Sequence, residues 1–306
     1  MFHVKQLHRF ASGLLLVLPS IAIAITAAPE KVEFPSLENN NPTKLVGYLY
    51  KPAKLDAKRP PPAFVLMHGC RGMIDAKGQT RAGVSFWAER LVEKGDVALL
   101  VDGFNPRGHK EVCTQTVQPI LEDRERPRDA DGGLQYLLWL PYVAKDRVFL
   151  IGFSHGATGT LYAVNDSGKR GKAAQRAGLR FAAALAFYPG CTVANRNGMK
   201  PAIPLAIFIG AADDWTPAQP CEALVFRAKS AGRDAEIYQY PGAYHGFDVP
   251  GTTPRLRTDV RNRANPSLRN GVHVGGGDDA ARLAATKDVD AYLKRQLKPS
   301  LRPAAQ

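Results

Sequence analysis

The chain has 306 residues, of which 45% are hydrophobic and 23% charged, and a formal net charge of +13. This composition excludes a disordered or fibrous polypeptide and has room for one large α/β domain. The positive balance comes without a zinc finger, a basic zipper or an aromatic-rich basic groove, so nucleic acid is not an expected partner.

Residues 1–28 read as an export signal. Lys5, His8 and Arg9 make a basic start, and an apolar run extends from Ala11 to Ile25. Ala22-Ile23-Ala24 offers a small-x-small cleavage site, with a cut after Ala27 or Ala28 as the alternative. Pro19 interrupts the run, which is short for a span of ~20 residues, so a cleaved signal is preferred to a membrane anchor. The expected mature chain, residues 29–306, is then a single periplasmic or secreted domain with no stable membrane insertion. Much of the charge sits in residues 168–180 and 255–269. These segments read as solvated loops in preference to a surface for anionic partners. Four cysteines, Cys70, Cys113, Cys191 and Cys221, point in an exported chain to disulfides. The spacing alone does not choose among three pairings, and no CxxC suggests a metal site.

In chain order, residues 31–36 and 44–51 form an opening pair of strands, and Ala63–Met67 is a compact apolar third. Residues 81–94 have Val84, Trp87, Ala88 and Leu91 at helical spacing. Val97–Val101 is a buried strand, residues 128–140 are helical, and Val148–Ile151 is a fifth strand. Phe181–Phe187, Leu205–Ile209 and Glu236–Tyr240 bring the strands to eight, and residues 278–297 form a last helix. Residues 251–277 are a Gly- and Arg-rich insertion. Strands alternating with helices imply a mostly parallel sheet covered on both faces. Such sheets place their chemistry beyond the carboxyl ends of the strands.

The fifth strand runs into Gly152-Phe153-Ser154-His155-Gly156, which fits the G-x-S-x-G nucleophile elbow. A sharp strand-to-helix turn holds the serine in a strained conformation, and the flanking glycines let neighbouring backbones pass closely. The helix N-terminus below favours developing negative charge. A serine hydroxyl needs a base, and the base needs an orienting acid. His245, in Tyr244-His245-Gly246-Phe247 after the eighth strand, fits the chain order Ser–acid–His. The acid is expected after the seventh strand, in Gly210-Ala211-Ala212-Asp213-Asp214-Trp215-Thr216-Pro217. Asp213 is preferred; Asp214 is the alternative, or else caps a helix starting near Pro217. Backbone amides of Cys70, in His68-Gly69-Cys70-Arg71-Gly72, and of His155 are the candidate oxyanion donors. Arg71 and Arg107 follow strand ends, where they either face the pocket or serve as structural ion-pair partners.

These four motifs together resemble the dienelactone hydrolase-like group of the α/β-hydrolase fold, over most of residues 31–297. The resemblance implies an eight-stranded, mostly parallel sheet and hydrolysis of carboxylic esters or lactones through an acyl-enzyme. It implies no metal or organic cofactor, and a small-molecule ester as partner. Dienelactone hydrolases proper use cysteine and are cytoplasmic, whereas this chain has Ser154 and a signal, which points to a more general esterase. In this fold the third and fourth strands are neighbours, as are the sixth and seventh. The resemblance therefore implies disulfides Cys70–Cys113 and Cys191–Cys221. Peptidase or acyltransferase chemistry with the same triad, and a non-catalytic binder on the same fold, are the alternatives.

Overall fold

The computed structural model describes residues 28–38, 40–166, 178–260, 271–276 and 279–297. Residues 1–27 of the expected signal, 168–177 of one basic segment and 261–269 of the other lie outside these. Eight strands form one sheet in the order β1-β2-β4-β3-β5-β6-β7-β8. They are β1 (Glu30–Pro35), β2 (Lys44–Tyr50), β3 (Ala63–Met67), β4 (Val97–Asp102), β5 (Val148–Phe153), β6 (Ala184–Phe187), β7 (Leu205–Gly210) and β8 (Ala235–Tyr240). The pairs from β4 through β8 are parallel, while β2 runs antiparallel to both β1 and β4.

β3 to β7 are buried at every position, the expected state of parallel strands covered on both faces. That is why they read as continuous apolar runs, whereas β1 and β2 alternate. Rings cross the sheet from strand to strand: Phe64 stacks on Phe149, and Phe187 on Phe208, which stacks on Tyr238.

The helices are α1 (Ala82–Glu93), α2 (Glu125–Trp139), α3 (His155–Ala163), α4 (Cys191–Arg196), α5 (Ala218–Ser230) and α6 (Asp279–Gln296). α1 buries Val84, Trp87, Ala88 and Leu91, the stripe expected from its spacing. Arg90 and Lys94 of α1 pair with Asp290 of α6. α2 starts three residues earlier than expected, at Glu125. Pro127 does not stop it, because the first-turn N–H that proline lacks has no intrahelical partner. β6 starts at Ala184 and not at Phe181, although Ala182 N–H already donates to Val148 O.

The 251–277 insertion contains an element the apolar pattern did not reveal. β9 (Arg255–Arg257) and β10 (Val272–Val274) pair as an antiparallel hairpin. Gly275 N–H donates to His245 O at 2.8 Å, and Val274 bridges to His245, so the hairpin docks on the loop after β8. Disulfides join Cys70 to Cys113 and Cys191 to Cys221. The first ties the loop after β3 to the segment beyond β4; the second ties α4 to α5.

Candidate active site

Ser154 sits between β5 and α3 with φ 53° and ψ −116°, a left-handed conformation costly for any residue but glycine. The turn survives because its surroundings are tight. A Cβ on Gly156 would fall 2.2 Å from Met67 O, so only glycine lets α3 approach the end of β3. Ser154 N–H donates to Phe187 O at 2.9 Å, which anchors the elbow to β6.

Two loops converge on this serine. Gly210 ends β7 so close to the loop after β8 that a Cβ would lie 2.1 Å from Ala243 O, and Ala212 N–H donates to the same carbonyl. This contact sets Asp213 beside His245. His245 Nε2 is 2.8 Å from Ser154 Oγ, and His245 Nδ1 is 2.9 Å from Asp213 Oδ2. Asp213 Oδ1 accepts from the amides of Trp215 and Thr216 at 2.9 and 2.8 Å. Both Asp213 and His245 are buried. The arrangement can pass a proton from the serine hydroxyl to the imidazole while the carboxylate holds the ring and stabilises its charged form.

Asp214 does something else. It accepts from the backbone N–H of His273 at 2.9 Å and lies 2.8 Å from His273 Nδ1, tying β10 to the loop after β7. It does not cap α5, whose N-cap is Pro217 without a side-chain cap bond. The reason is reach: the side chain is taken up by the hairpin. His273 also stacks on Tyr244, at 4.9 Å between rings.

Gly69, in the loop after β3, packs against the elbow: a Cβ there would be 3.2 Å from Ser154 Cβ. This puts the backbone of Cys70 at the serine, as His155 is by sequence. The disulfide Cys70–Cys113 pins that loop, and Cys70 O accepts from Val112 N–H at 2.8 Å. The His155 side chain turns away and meets Gln118 Oε1 and Ile120 O at 3.0 and 3.1 Å. His68 is fully buried, with Nδ1 2.8 Å from Gly69 O and Nε2 accepting from Gly103 N–H. Burial, and then Arg126, push its pKa well below the ordinary histidine value, so it is a neutral structural ring.

Of the two arginines following strand ends, Arg107 is a structural partner. It binds Asp129 through both Nη atoms, at 3.1 and 2.8 Å, and Glu38 at 3.2 Å. Arg71 lines a cleft of about 320 Å³ that opens beside Ser154.

Two features escaped the motifs. Thr216 Oγ1 lies 3.0 Å from both Asp213 Oδ2 and His245 Nδ1, and 3.1 Å from Tyr188 O. Its place three residues after Asp213 is a signal for a local turn that returns its amide and hydroxyl to the carboxylate. Tyr188, at φ 45°, packs its ring 4.6 Å from His245 and donates to buried Asp248, which also accepts from Trp87 Nε1 at 2.7 Å. Burial pushes the Asp248 carboxyl up, and burial followed by the Asp248 charge pushes the Tyr188 phenol up. No local pattern links residues 87, 188 and 248. Among the described residues no group of His, Cys, Asp and Glu is placed to hold a metal ion.

With this geometry in view, likeness to known proteins is informative. The chain is similar to a Bradyrhizobium sp protein named probable 2-oxo-3-(5-oxofuran-2-ylidene)propanoate lactonase. They are 25% identical over 171 residues, 51% of this chain, and the match spans 64% of that relative's length. In structure it is similar to a putative dienelactone hydrolase from Klebsiella pneumoniae, with TM-score 0.58 and 15% identity over 88% of this chain and 100% of that one. It is also similar to the apo form of Thermogutta terrifontis esterase 2, with TM-score 0.61 and 18% identity over 90% of this chain and 98% of that one. These two likenesses show a shared fold. Residues 45–270 match the model of the dienelactone hydrolase family. The chain belongs to the dienelactone hydrolase family.

Proposed function

We propose that the protein is an exported serine hydrolase of carboxylic esters or lactones. The observation that carries this reading is the unbroken line of hydrogen bonds from Ser154 through His245 to Asp213. Ser154 Oγ attacks the ester carbonyl while His245 takes its proton. The amides of Cys70 and His155 hold the tetrahedral oxyanion, each worth about 2.7–4 kcal/mol of barrier. His245 then protonates the leaving alcohol, and water repeats the sequence on the acyl-enzyme to release the acid. The lactonase name of the Bradyrhizobium relative and the esterase neighbours support ester and lactone substrates.

Residues 1–28 act as the signal and residues 29–306 as one catalytic domain in this reading. Two disulfides support an oxidising compartment. No described helix is long and apolar enough to cross a membrane.

The test is a p-nitrophenyl ester assay beside fluorophosphonate labelling. The wild type should turn over the ester and label at Ser154. Ser154→Ala should lose at least about 10⁴-fold in kcat, with the circular dichroism of the native fold. Full turnover by the variant would refute the assignment. A wild type that neither labels nor hydrolyses points to a non-catalytic binder.

A further inference from the structure

Asp248 is a fully buried carboxylate that the proposed reaction does not use. It lies on the loop after β8, just beyond His245 and Phe247. The side chains that bind it are neutral. Trp87 Nε1 donates to its Oδ2 at 2.7 Å, and Tyr188 OH donates to its Oδ1 at 2.8 Å. Trp87 belongs to α1 and Tyr188 follows β6, so one carboxylate ties the histidine loop to both. A carboxyl stripped of water is costly to charge, and burial pushes its pKa up. If the position only needed filling, an apolar side chain of similar volume would serve without that cost.

Tyr188 is strained as well. Its φ of 45° is left-handed, and a residue with a large ring holds that conformation only where its surroundings dictate it. Here they do. Its N–H donates to Phe208 O at 2.7 Å, its carbonyl accepts from Thr216 Oγ1 at 3.1 Å, and its hydroxyl is taken by Asp248. Its ring lies 4.6 Å from the His245 ring, tilted by 59°. Thr216 in turn lies 3.0 Å from both His245 Nδ1 and Asp213 Oδ2. Each polar side-chain contact of Tyr188 therefore leads back to the triad or to the loop that carries it. Tyr188 also lines the cleft beside Ser154, with the loop after β3, the start of α1 and β9.

The proposed reaction makes a demand that the triad alone does not meet. His245 Nε2 must take a proton from Ser154 and then aim it at the leaving oxygen. Hydrogen bonds at Nδ1 and Nε2 fix two edges of the imidazole but leave it free to tilt about the line between them. A ring packed against its face limits that tilt.

Resting on the serine-hydrolase reading above, we propose that Tyr188 is a positioning residue for His245, and that Asp248 and Trp87 hold Tyr188 in place. The Trp87–Asp248–Tyr188 chain takes no part in the proton transfer. It sets the tilt of the imidazole and the seat of its loop.

The test compares the wild type with Tyr188→Phe, Asp248→Asn and Trp87→Phe on p-nitrophenyl acetate. Each rate is divided by the concentration of serine that a fluorophosphonate labels at saturation, so that misfolded molecules do not count. Tyr188→Phe keeps the ring and removes its tether. It should lower kcat about tenfold, the scale of one hydrogen bond to a charged group, with KM within about twofold. Asp248→Asn should lower kcat at least as far, and Trp87→Phe by less. Tyr188→Phe combined with Asp248→Asn should lose no more than Asp248→Asn alone, because both break the same bond. A purely structural role predicts lower melting temperatures with kcat per labelled serine unchanged. That result in Tyr188→Phe and Asp248→Asn overturns the proposal, as does a change confined to KM. Where Asp248→Asn does not fold, Tyr188→Phe decides alone. If the wild type hydrolyses the ester and labels, those outcomes remove only this inference. If it does neither, the hydrolase reading fails and this inference falls with it.

Discussion

Asp213 and Asp214 are neighbours in sequence, and each faces a histidine at hydrogen-bond distance, yet the two pairs do different work. Asp213 is buried, receives two backbone amides on one oxygen and holds the ring that reaches Ser154. Asp214 meets His273, whose side chain is 43% exposed, and so fastens the β9–β10 hairpin over the site. On the proposed reading, an aspartate–histidine contact by itself is not a catalytic signature. What distinguishes the pairs is burial, the donors behind the carboxylate, and what the far ring nitrogen touches.

Substitution should break the comparison unequally. Asp213→Asn is expected to lower kcat for a p-nitrophenyl ester by about 10⁴-fold. The amide no longer fixes the imidazole tautomer, although the fold persists. Steady-state kinetics with circular dichroism checks this, and a loss below about tenfold would move the catalytic acid elsewhere. Asp214→Asn should cost at most about fivefold in kcat/KM, the scale of a partly exposed pair, through a looser hairpin. Proteolysis rates within residues 251–277 should rise in the same variant, and a loss as large as that of Asp213→Asn would erase the distinction drawn here.

Arg71 and Arg107 offer a parallel contrast, since both follow strand ends and only one enters the cleft. Arg107 closes on Glu38 and Asp129. Glu38 is held down to about 2: burial raises its pKa, but Ser36, the amide and hydroxyl of Thr43, and Arg107 outweigh it. A depressed folded pKa contributes stability that is present above the unfolded value of 4.5 and is lost as pH falls toward 2. Urea midpoints at pH 6 and pH 3 should therefore fall further apart in the wild type than in Glu38→Gln. The effect is the smallest of these, and equal midpoint shifts in the two proteins would contradict it.

The order of elements and the main members of the candidate site were legible because each rests on a local rule. Buried parallel strands must be apolar runs, which made β3 to β7 legible within a few residues. A serine elbow must be flanked by glycines, and the loops after β7 and β8 must carry the acid and the base in that order. The hairpin was not legible, because its strands, Arg255–Arg257 and Val272–Val274, are three residues each, too short for a period to register. Thr216 was missed: its spacing from Asp213 is a local signal for a turn, while its contact with His245 depends on the loop after β8.

The sequence by itself determined the sheet, the strained turn at Ser154 and the residue types needed at the carboxyl ends of the strands, since all of these follow from chain-local sterics and burial. Tertiary structure alone decided which of two adjacent aspartates faces His245, which arginine enters the cleft, and that β9 completes its wall. Those outcomes depend on distances between segments far apart in the chain, set by packing and not by any pattern within one segment.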